Sequence, residues 1–263
     1  MSLLAVENLE VAYARVILAV QGVSLAVPER SIVALLGTNG AGKTTTVRAI
    51  TGFLPVDDAQ IRKGDIRLAG ESIAGLPPYR IAARGAVLVP ERDKIFQTLT
   101  VEDNLRLPLS RRRQAGEAGI DKVLQIFPAL ARRRSQVAGL MSGGERQMLA
   151  IAQGLLCNPK VLVVDELSLG LAPHLVAELM AQLKGLRDDL GVSILLVEQD
   201  AASALTVADF GYVMEGGRIV YEGAPDKLRG HKDIQEFYLG SSEEGRASYR
   251  DVKQYRRARR WWG

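Results

Sequence analysis

Apolar positions in this chain cluster in short unbroken runs, and stretches of helical period separate them. Ser31–Leu36, Val161–Val164 and Val192–Val197 are apolar at nearly every position, and Gly85–Val89 forms a fourth run stopped by Pro90. Runs of four to six apolar residues read as strands buried on both faces. Between them, Thr45–Ile50 (ending near Gly52), the Met148, Ile151, Ala152, Leu155, Leu156 set and Pro173–Asp189 read as helices. Buried strands alternating with helices predict an α/β fold with a largely parallel sheet covered on both faces. Ahead of this pattern, Leu4–Leu9 and Val16–Val27 read as strands, with breaks near Tyr13-Ala14-Arg15 and at Gln21-Gly22, and Pro28-Glu29-Arg30 reads as a turn. Asp57-Asp58 and Lys63-Gly64 bracket a polar loop before a short strand, Asp65–Leu68. Near the end, Phe210–Met214 and Arg218–Tyr221 form a hairpin around Glu215-Gly216-Gly217.

The texture changes from about Glu91 to Leu140. Strand-like runs vanish, and Val101–Leu105 and Asp121–Phe127 read as helices, with Thr100 a candidate N-cap. This stretch reads as a helical insertion in the α/β domain. The runs Arg111-Arg112-Arg113 and Arg132-Arg133-Arg134 read as solvated helix ends rather than a binding patch.

Composition narrows the class. With 47% hydrophobic and 24% charged residues, 263 residues are ordinary for a globular protein and can bury one large core. No apolar run approaches the ~20 residues of a membrane span. Met1–Glu7 lacks a basic region and carries Glu7 in its apolar run, so it does not read as a secretory signal. Cys157 is the single cysteine, excludes an intrachain disulfide, and falls on an apolar helix pattern as a small core residue. These features point to the cytoplasm. The net charge of +4 is local in origin: Arg246–Gly263 carries seven Lys/Arg against one Asp, which leaves the rest of the chain at −2. The high pI is therefore no argument that the body binds nucleic acid. That tail also carries Tyr249, Tyr255, Trp261 and Trp262, a composition suited either to an anionic membrane interface or to a mobile, solvated terminus.

The chemistry centres on Gly37-Thr38-Asn39-Gly40-Ala41-Gly42-Lys43-Thr44, which fits G-x-x-x-x-G-K-[ST] at every fixed position. A predicted strand enters it and a predicted helix leaves it. The glycines let backbone N–H groups turn inward around phosphate oxygens, and the helix adds its positive end. Lys43 can reach β- and γ-phosphates, and the Thr44 hydroxyl can ligate Mg²⁺. Val161–Val164 ends in Asp165-Glu166, the form of a Walker B strand: one carboxylate can hold Mg²⁺ through water and the other can orient or deprotonate a water. Ser142-Gly143-Gly144-Glu145 opens the Met148–Leu156 helix. Ser142 and Glu145 have capping-box spacing. The two glycines cost up to about 1 kcal/mol each in a first turn and point to close approach of a phosphate ligand.

In this order (P-loop, helical insertion, Met141-Ser142-Gly143-Gly144-Glu145, then Val163-Val164-Asp165-Glu166) the motifs resemble the nucleotide-binding subunits of the ATP-binding cassette family. The resemblance covers about Leu4–Leu239. It implies a RecA-like P-loop core with N-terminal antiparallel strands, an inserted helical subdomain at about 91–158 within a domain of 1–240, and a separate tail, 241–263. It implies that two cassettes sandwich two ATP molecules with Mg²⁺. Nucleotide contacts would run from Gly37 to Thr45, with Tyr13 stacking on adenine. Asp165 would assist Mg²⁺, Glu166 would be the base, and Ser142 to Glu145 would touch the partner's ATP. The family's usual Gln is here Glu91, placed near nucleotide and metal. Its switch His is here Gln199, its Pro after the base is Leu167, and its loop-closing Asp is Ala172. Val89-Pro90-Glu91, Ser142–Ile151, Ser168–Pro173 and Leu196–Gln199 resemble the smaller ATPase of branched-chain amino acid importers, whereas Leu167 fits neither pattern. That subunit pairs with a second, similar ATPase (or with a copy of itself) under a membrane permease. An extracytoplasmic binding protein feeds the permease, and no nucleic acid is involved. Another cargo, such as urea, short amides or other amino acids, fits the same residues. A soluble cassette ATPase of DNA repair or translation would carry two cassettes or a long coiled coil, and this sequence shows neither.

Overall fold

The computed structural model describes residues 2–91, 95–111, 116–231 and 234. In chain order the elements are β1 (Ser2–Tyr13), β2 (Ile17–Pro28), β3 (Ile32–Leu36), α1 (Lys43–Thr51), β4 (Ala59–Leu68), β5 (Glu71–Ser72), α2 (Pro78–Arg84) and β6 (Ala86–Val89). Helices α3 (Val101–Arg106), α4 (Gly116–Ile126), α5 (Pro128–Ala131) and α6 (Gly143–Leu156) follow. The chain continues through β7 (Val161–Asp165), α7 (Pro173–Leu190), β8 (Ser193–Glu198), α8 (Ala201–Ala204), β9 (Phe210–Glu215), β10 (Arg218–Gly223) and α9 (Pro225–Arg229). Among the described residues no helix is long and apolar enough to cross a membrane.

Two sheets form. The larger has the order β10-β9-β3-β8-β7-β6, parallel throughout except for the antiparallel edge strand β10. Its central strands are buried at every position because apolar layers cover both faces. Ile32, Ala34 and Leu36 face the layer that contains α6 and α7, together with Leu162, Val164, Ile194 and Leu196. Val33 and Leu35 face the opposite layer of α1 and the smaller sheet, as do Val163 and Leu195. The period-2 alternation of a strand thus separates two cores, and every carboxyl end of β3, β7 and β8 is brought to one edge.

The smaller sheet is antiparallel, with the order β2-β1-β4-β5. Two sequence expectations change here. The break expected at Gln21-Gly22 is a bulge inside a continuous strand: Leu9 pairs with Val23 and Glu10 with Gln21, which leaves Gly22 unpaired at φ 73. The polar loop expected before Asp65 is the first half of β4. It pairs with β1 from Tyr13↔Ala59 to Leu4↔Leu68, and its exposed Gln60, Arg62 and Lys63 hid the strand signal.

Between Val89 and Val161 the described elements are helices and short 3-10 turns, and Thr100 caps α3 by accepting the Asp103 N–H at 3.1 Å. Phe127, Leu130, Leu105 and Ile120 are buried in the layer under α6. Arg134 pairs with Glu102 at 2.9 Å and with Asp121 at 3.3 Å. Arg134 first and Arg106 second hold the Glu102 carboxyl down at about 2. Arg133 reaches Glu145 at 2.5 Å. This second arginine run therefore cross-links helices instead of only ending one. Arg112 and Arg113 of the first run lie outside the described residues, as does the basic tail from Arg246. Cys157 caps the end of α6, half-buried against the core.

Candidate functional site

The loop between β3 and α1 is held open by backbone sterics. A Cβ on Gly37 would lie 2.5 Å from the Met214 carbonyl oxygen, so no side chain fits there. Gly42 takes φ 104, and a Cβ there would meet Met214 Cε at 2.7 Å. Gly42 is also the N-cap of α1 and brings no capping side chain, so the first-turn N–H groups stay available to an anion. A cavity of about 430 Å³ opens over this loop and is lined by Asn39 through Thr45. Ile17, Leu18 and Ala19 form one wall, while Gln21, Gly216 and Gly217 form another. The Gly217 N–H donates to the Ala41 carbonyl at 2.9 Å and its own carbonyl accepts the Gln21 N–H at 2.8 Å, tying the β9–β10 turn to the loop. No motif marked the Ile17–Ala19 wall, and Gly216-Gly217 was legible as a hairpin turn but not as part of the cavity.

Lys43 is buried and donates to the carbonyls of Gly37 at 2.9 Å and Thr38 at 3.2 Å. Its ammonium also lies 3.2 Å from Glu166 Oε1. Glu166 borders the same cavity from the end of β7, so the cation and the candidate base meet over the P-loop. Glu166 sits at φ 45, and its N–H donates to the Val197 carbonyl at 2.8 Å. Asp165 precedes it. Burial, then the charges of Glu166 and Glu91, push its carboxyl up to about 6, while Lys43 and Arg48 pull the other way. Asp165 Oδ1 is buried and has no hydrogen-bond partner.

The other expected residues fall elsewhere. The Tyr13 hydroxyl hydrogen-bonds Thr45 Oγ1 at 3.0 Å, and its ring is not part of the cavity wall. Glu91 follows the end of β6, and its charge reaches Asp165. Gln199 is exposed just beyond β8. Ser142, Gly143, Gly144 and Glu145 do not line the cavity. They make the capping box: Ser142 Oγ accepts the Glu145 N–H at 3.3 Å, and Glu145 Oε2 accepts the Ser142 N–H at 2.9 Å. Within the chain, leucine side chains border the glycine pair. A Cβ on Gly143 would lie 2.9 Å from Leu171 Cδ2, and one on Gly144 would lie 3.3 Å from Leu175.

Residues 20–168 match the family described as ABC transporter, a span that runs through both the P-loop and the Asp165-Glu166 strand. The chain belongs to the ABC transporter family. Over 223 residues it is 41% identical to the high-affinity branched-chain amino acid transport ATP-binding protein BraG of Pseudomonas aeruginosa, covering 84% of this chain and 93% of that one. Over 215 residues it is 35% identical to the probable branched-chain amino acid transport ATP-binding protein LivF of Archaeoglobus fulgidus, covering 81% and 89%. Its fold superposes on a crystal structure of the ADP conformation of an ATP-binding cassette of an ABC transporter, with a TM-score of 0.77 and 27% identity over 91% of this chain and 99% of that one. The chain is thus an ABC cassette ATPase whose substrate is ATP.

The donor set around Asp165 would suit a hard divalent cation such as Mg²⁺. The orphaned Asp165 Oδ1 is a hard oxygen with no protein donor, and the neighbouring charges of Glu166 and Glu91 favour a cation beside it. Among the described residues no cluster of three or more His, Cys, Asp or Glu forms a cage for a metal.

Proposed function

We propose that this chain energises uptake of branched-chain amino acids, working as the peripheral ATPase on the inner face of a membrane permease and pairing with a second cassette. The observation that supports this reading best is the likeness to BraG and LivF across nearly the whole cassette, outside as well as inside the nucleotide site.

In this reading the P-loop N–H groups and Lys43 take the phosphates. Thr44 and Asp165 hold Mg²⁺, which neutralises phosphate charge when bound. Glu166 orients and deprotonates the attacking water from the opposite wall, and Gln199 donates a neutral hydrogen bond to the γ-phosphate. The apolar Ile17–Ala19 wall takes the base. The Ser142–Glu145 helix start turns toward the ATP of the second cassette, because it stands apart from the chain's own cavity. Glu91 supplies a carboxylate beside Asp165 where a Gln would be neutral.

The test is purification of the assembled transporter from its native membrane and its reconstitution in vesicles with its extracytoplasmic binding protein. ATP-driven accumulation of labelled leucine, isoleucine or valine is the expected result. Accumulation of urea or short amides, with none of these three, would overturn the cargo but leave the ATPase role.

A further inference from the structure

The segment after Glu166 is fastened to the end of the neighbouring strand by one buried carboxylate. Glu198, the last residue of β8, is 1% exposed. Its Oε1 accepts the Ser168 N–H at 3.0 Å, and its Oε2 accepts from Ser168 Oγ at 2.6 Å. The Leu167 N–H also favours the charged form of this carboxylate, lowering its pKa. On the other side, the Leu167 carbonyl accepts from Gln147 Nε2 of α6 at 2.8 Å, and the Glu166 N–H is held by Val197 at 2.8 Å. The backbone on both sides of Glu166 is therefore tied to the end of β8, one residue before Gln199.

Two features say that this fastening is more than filling. Glu166 holds φ 45, a left-handed conformation that a non-glycine residue keeps only where its surroundings impose it. A carboxyl group buried in a core is also an expensive anchor. Burial pushes Glu198 up to about 7 even against the pull of its Ser168 and Leu167 donors. We propose that Glu198 is a positioning residue, which fixes Leu167 and Ser168 and thereby holds Glu166 and Gln199 in one register over the phosphates. A proline at 167 would bring no N–H to this carboxylate, whereas leucine keeps an N–H that favours its charge and buries its side chain in the core, at 1% exposure.

The inference rests on Glu166 being the base, so Glu166→Gln is measured beside it. The full-length chain, purified with its partner subunits, is assayed for kcat and KM of ATP hydrolysis and for equilibrium binding of a fluorescent ATP analogue. Glu198→Ala should lower kcat by about 10- to 100-fold, the cost of a small misplacement of a reacting group, while analogue binding stays within about twofold. Ser168→Ala, at a half-buried loop position, should act in the same direction, and the double variant should lose no more than Glu198→Ala alone. Glu198→Gln can accept the Ser168 N–H and donate to Ser168 Oγ, so it should recover kcat to within about threefold of the wild type. Unchanged kcat in both alanine variants overturns the proposal. So does a parallel loss of kcat and analogue binding that Glu198→Gln fails to rescue, since that is the mark of a merely structural group. Wild-type turnover by Glu166→Gln would instead sink the base assignment. An inactive Glu166→Gln beside an unaffected Glu198→Ala sinks this inference alone.

Discussion

Glu166→Gln should change turnover and ATP affinity in opposite directions, and the structure supplies the reason. Lys43 Nζ is 3.2 Å from Glu166 Oε1, and both side chains border the cavity over the P-loop. A phosphate oxygen accepting from Lys43 at the ordinary ~2.8 Å would lie up to roughly 6 Å from the Glu166 carboxylate. Two like charges at that distance repel by about 0.7 kcal/mol at the dielectric of water and about 2.8 kcal/mol at an effective value of 20. The cavity is open to solvent and Lys43 compensates part of the charge, so about 1 kcal/mol, or about fivefold in affinity, is the fair expectation. The Glu166 carboxylate also competes with phosphate for the Lys43 ammonium, which adds in the same direction. Loss of a general base lowers turnover by about 10²- to 10⁴-fold. Titration of a fluorescent ATP analogue in the presence of Mg²⁺, beside steady-state hydrolysis by the same preparation, separates the two effects. Tighter binding with nearly absent turnover is expected. Weaker binding would mean that Glu166 helps to hold the nucleotide, and normal turnover would place the base elsewhere; either result refutes the reasoning.

Lys43→Ala should lower hydrolysis by at least about 10²-fold and weaken ATP binding, because no other cation in the loop can reach the phosphates; near-normal hydrolysis would remove the basis of the site. Gln199→Ala should leave clearly measurable hydrolysis, with a loss of about two- to tenfold for one neutral hydrogen bond; activity as low as that of Glu166→Gln would show the ranking of the two residues to be wrong. Phe127→Ala empties a fully buried site and should cost about 3–5 kcal/mol in chemical denaturation, and a loss below about 1 kcal/mol would contradict its place in the core. Stability should also depend on pH through Glu198, whose carboxyl burial raises to about 7 from the ordinary 4.5. The folded value lies above the unfolded one, so the contribution is full below about pH 4.5 and is lost as pH rises through about 7. Glu198→Gln should therefore flatten the fall in stability between pH 5 and 8, by at most about 3 kcal/mol, and an unaltered slope in denaturant titrations at the two pH values would count against it.

Local pattern carried the parallel sheet because its strands are buried on both faces and nothing polar interrupts them. Ile32–Leu36, Val161–Asp165 and Ser193–Glu198 are buried throughout, and each ends where a chemical group is needed. The P-loop was legible for a different reason. Its glycines answer to backbone constraints, and the Cβ contacts at Gly37 and Gly42 forbid almost any alternative. The capping box of Ser142 and Glu145 is likewise a local device, closed within four residues. The same locality set the limit. Strand β4 was read as half loop because it is solvated along its outer positions, and only its pairing with β1 makes it a strand. The glycines at 143 and 144 read as a ligand-approach signal, and within the chain they are also bordered by Leu171 and Leu175, more than twenty residues away in sequence.

Groups that converge from distant strands were the least legible, and they decide how the site works. The cavity wall at Ile17–Ala19 carries no motif and Gly216-Gly217 read only as a hairpin turn, yet Gly217 is hydrogen-bonded to both Ala41 and Gln21 and closes the nucleotide loop from a position nearly 180 residues away. Leu167 could not be explained from the sequence because its reason is not local either. What distinguishes it from the expected proline is a backbone N–H, and that group favours the Glu198 charge only once folding lays β8 beside β7. A motif therefore locates the reacting groups. Their aim comes from pairings such as Glu198 with Ser168, thirty residues apart, which become visible only when β7 and β8 lie side by side.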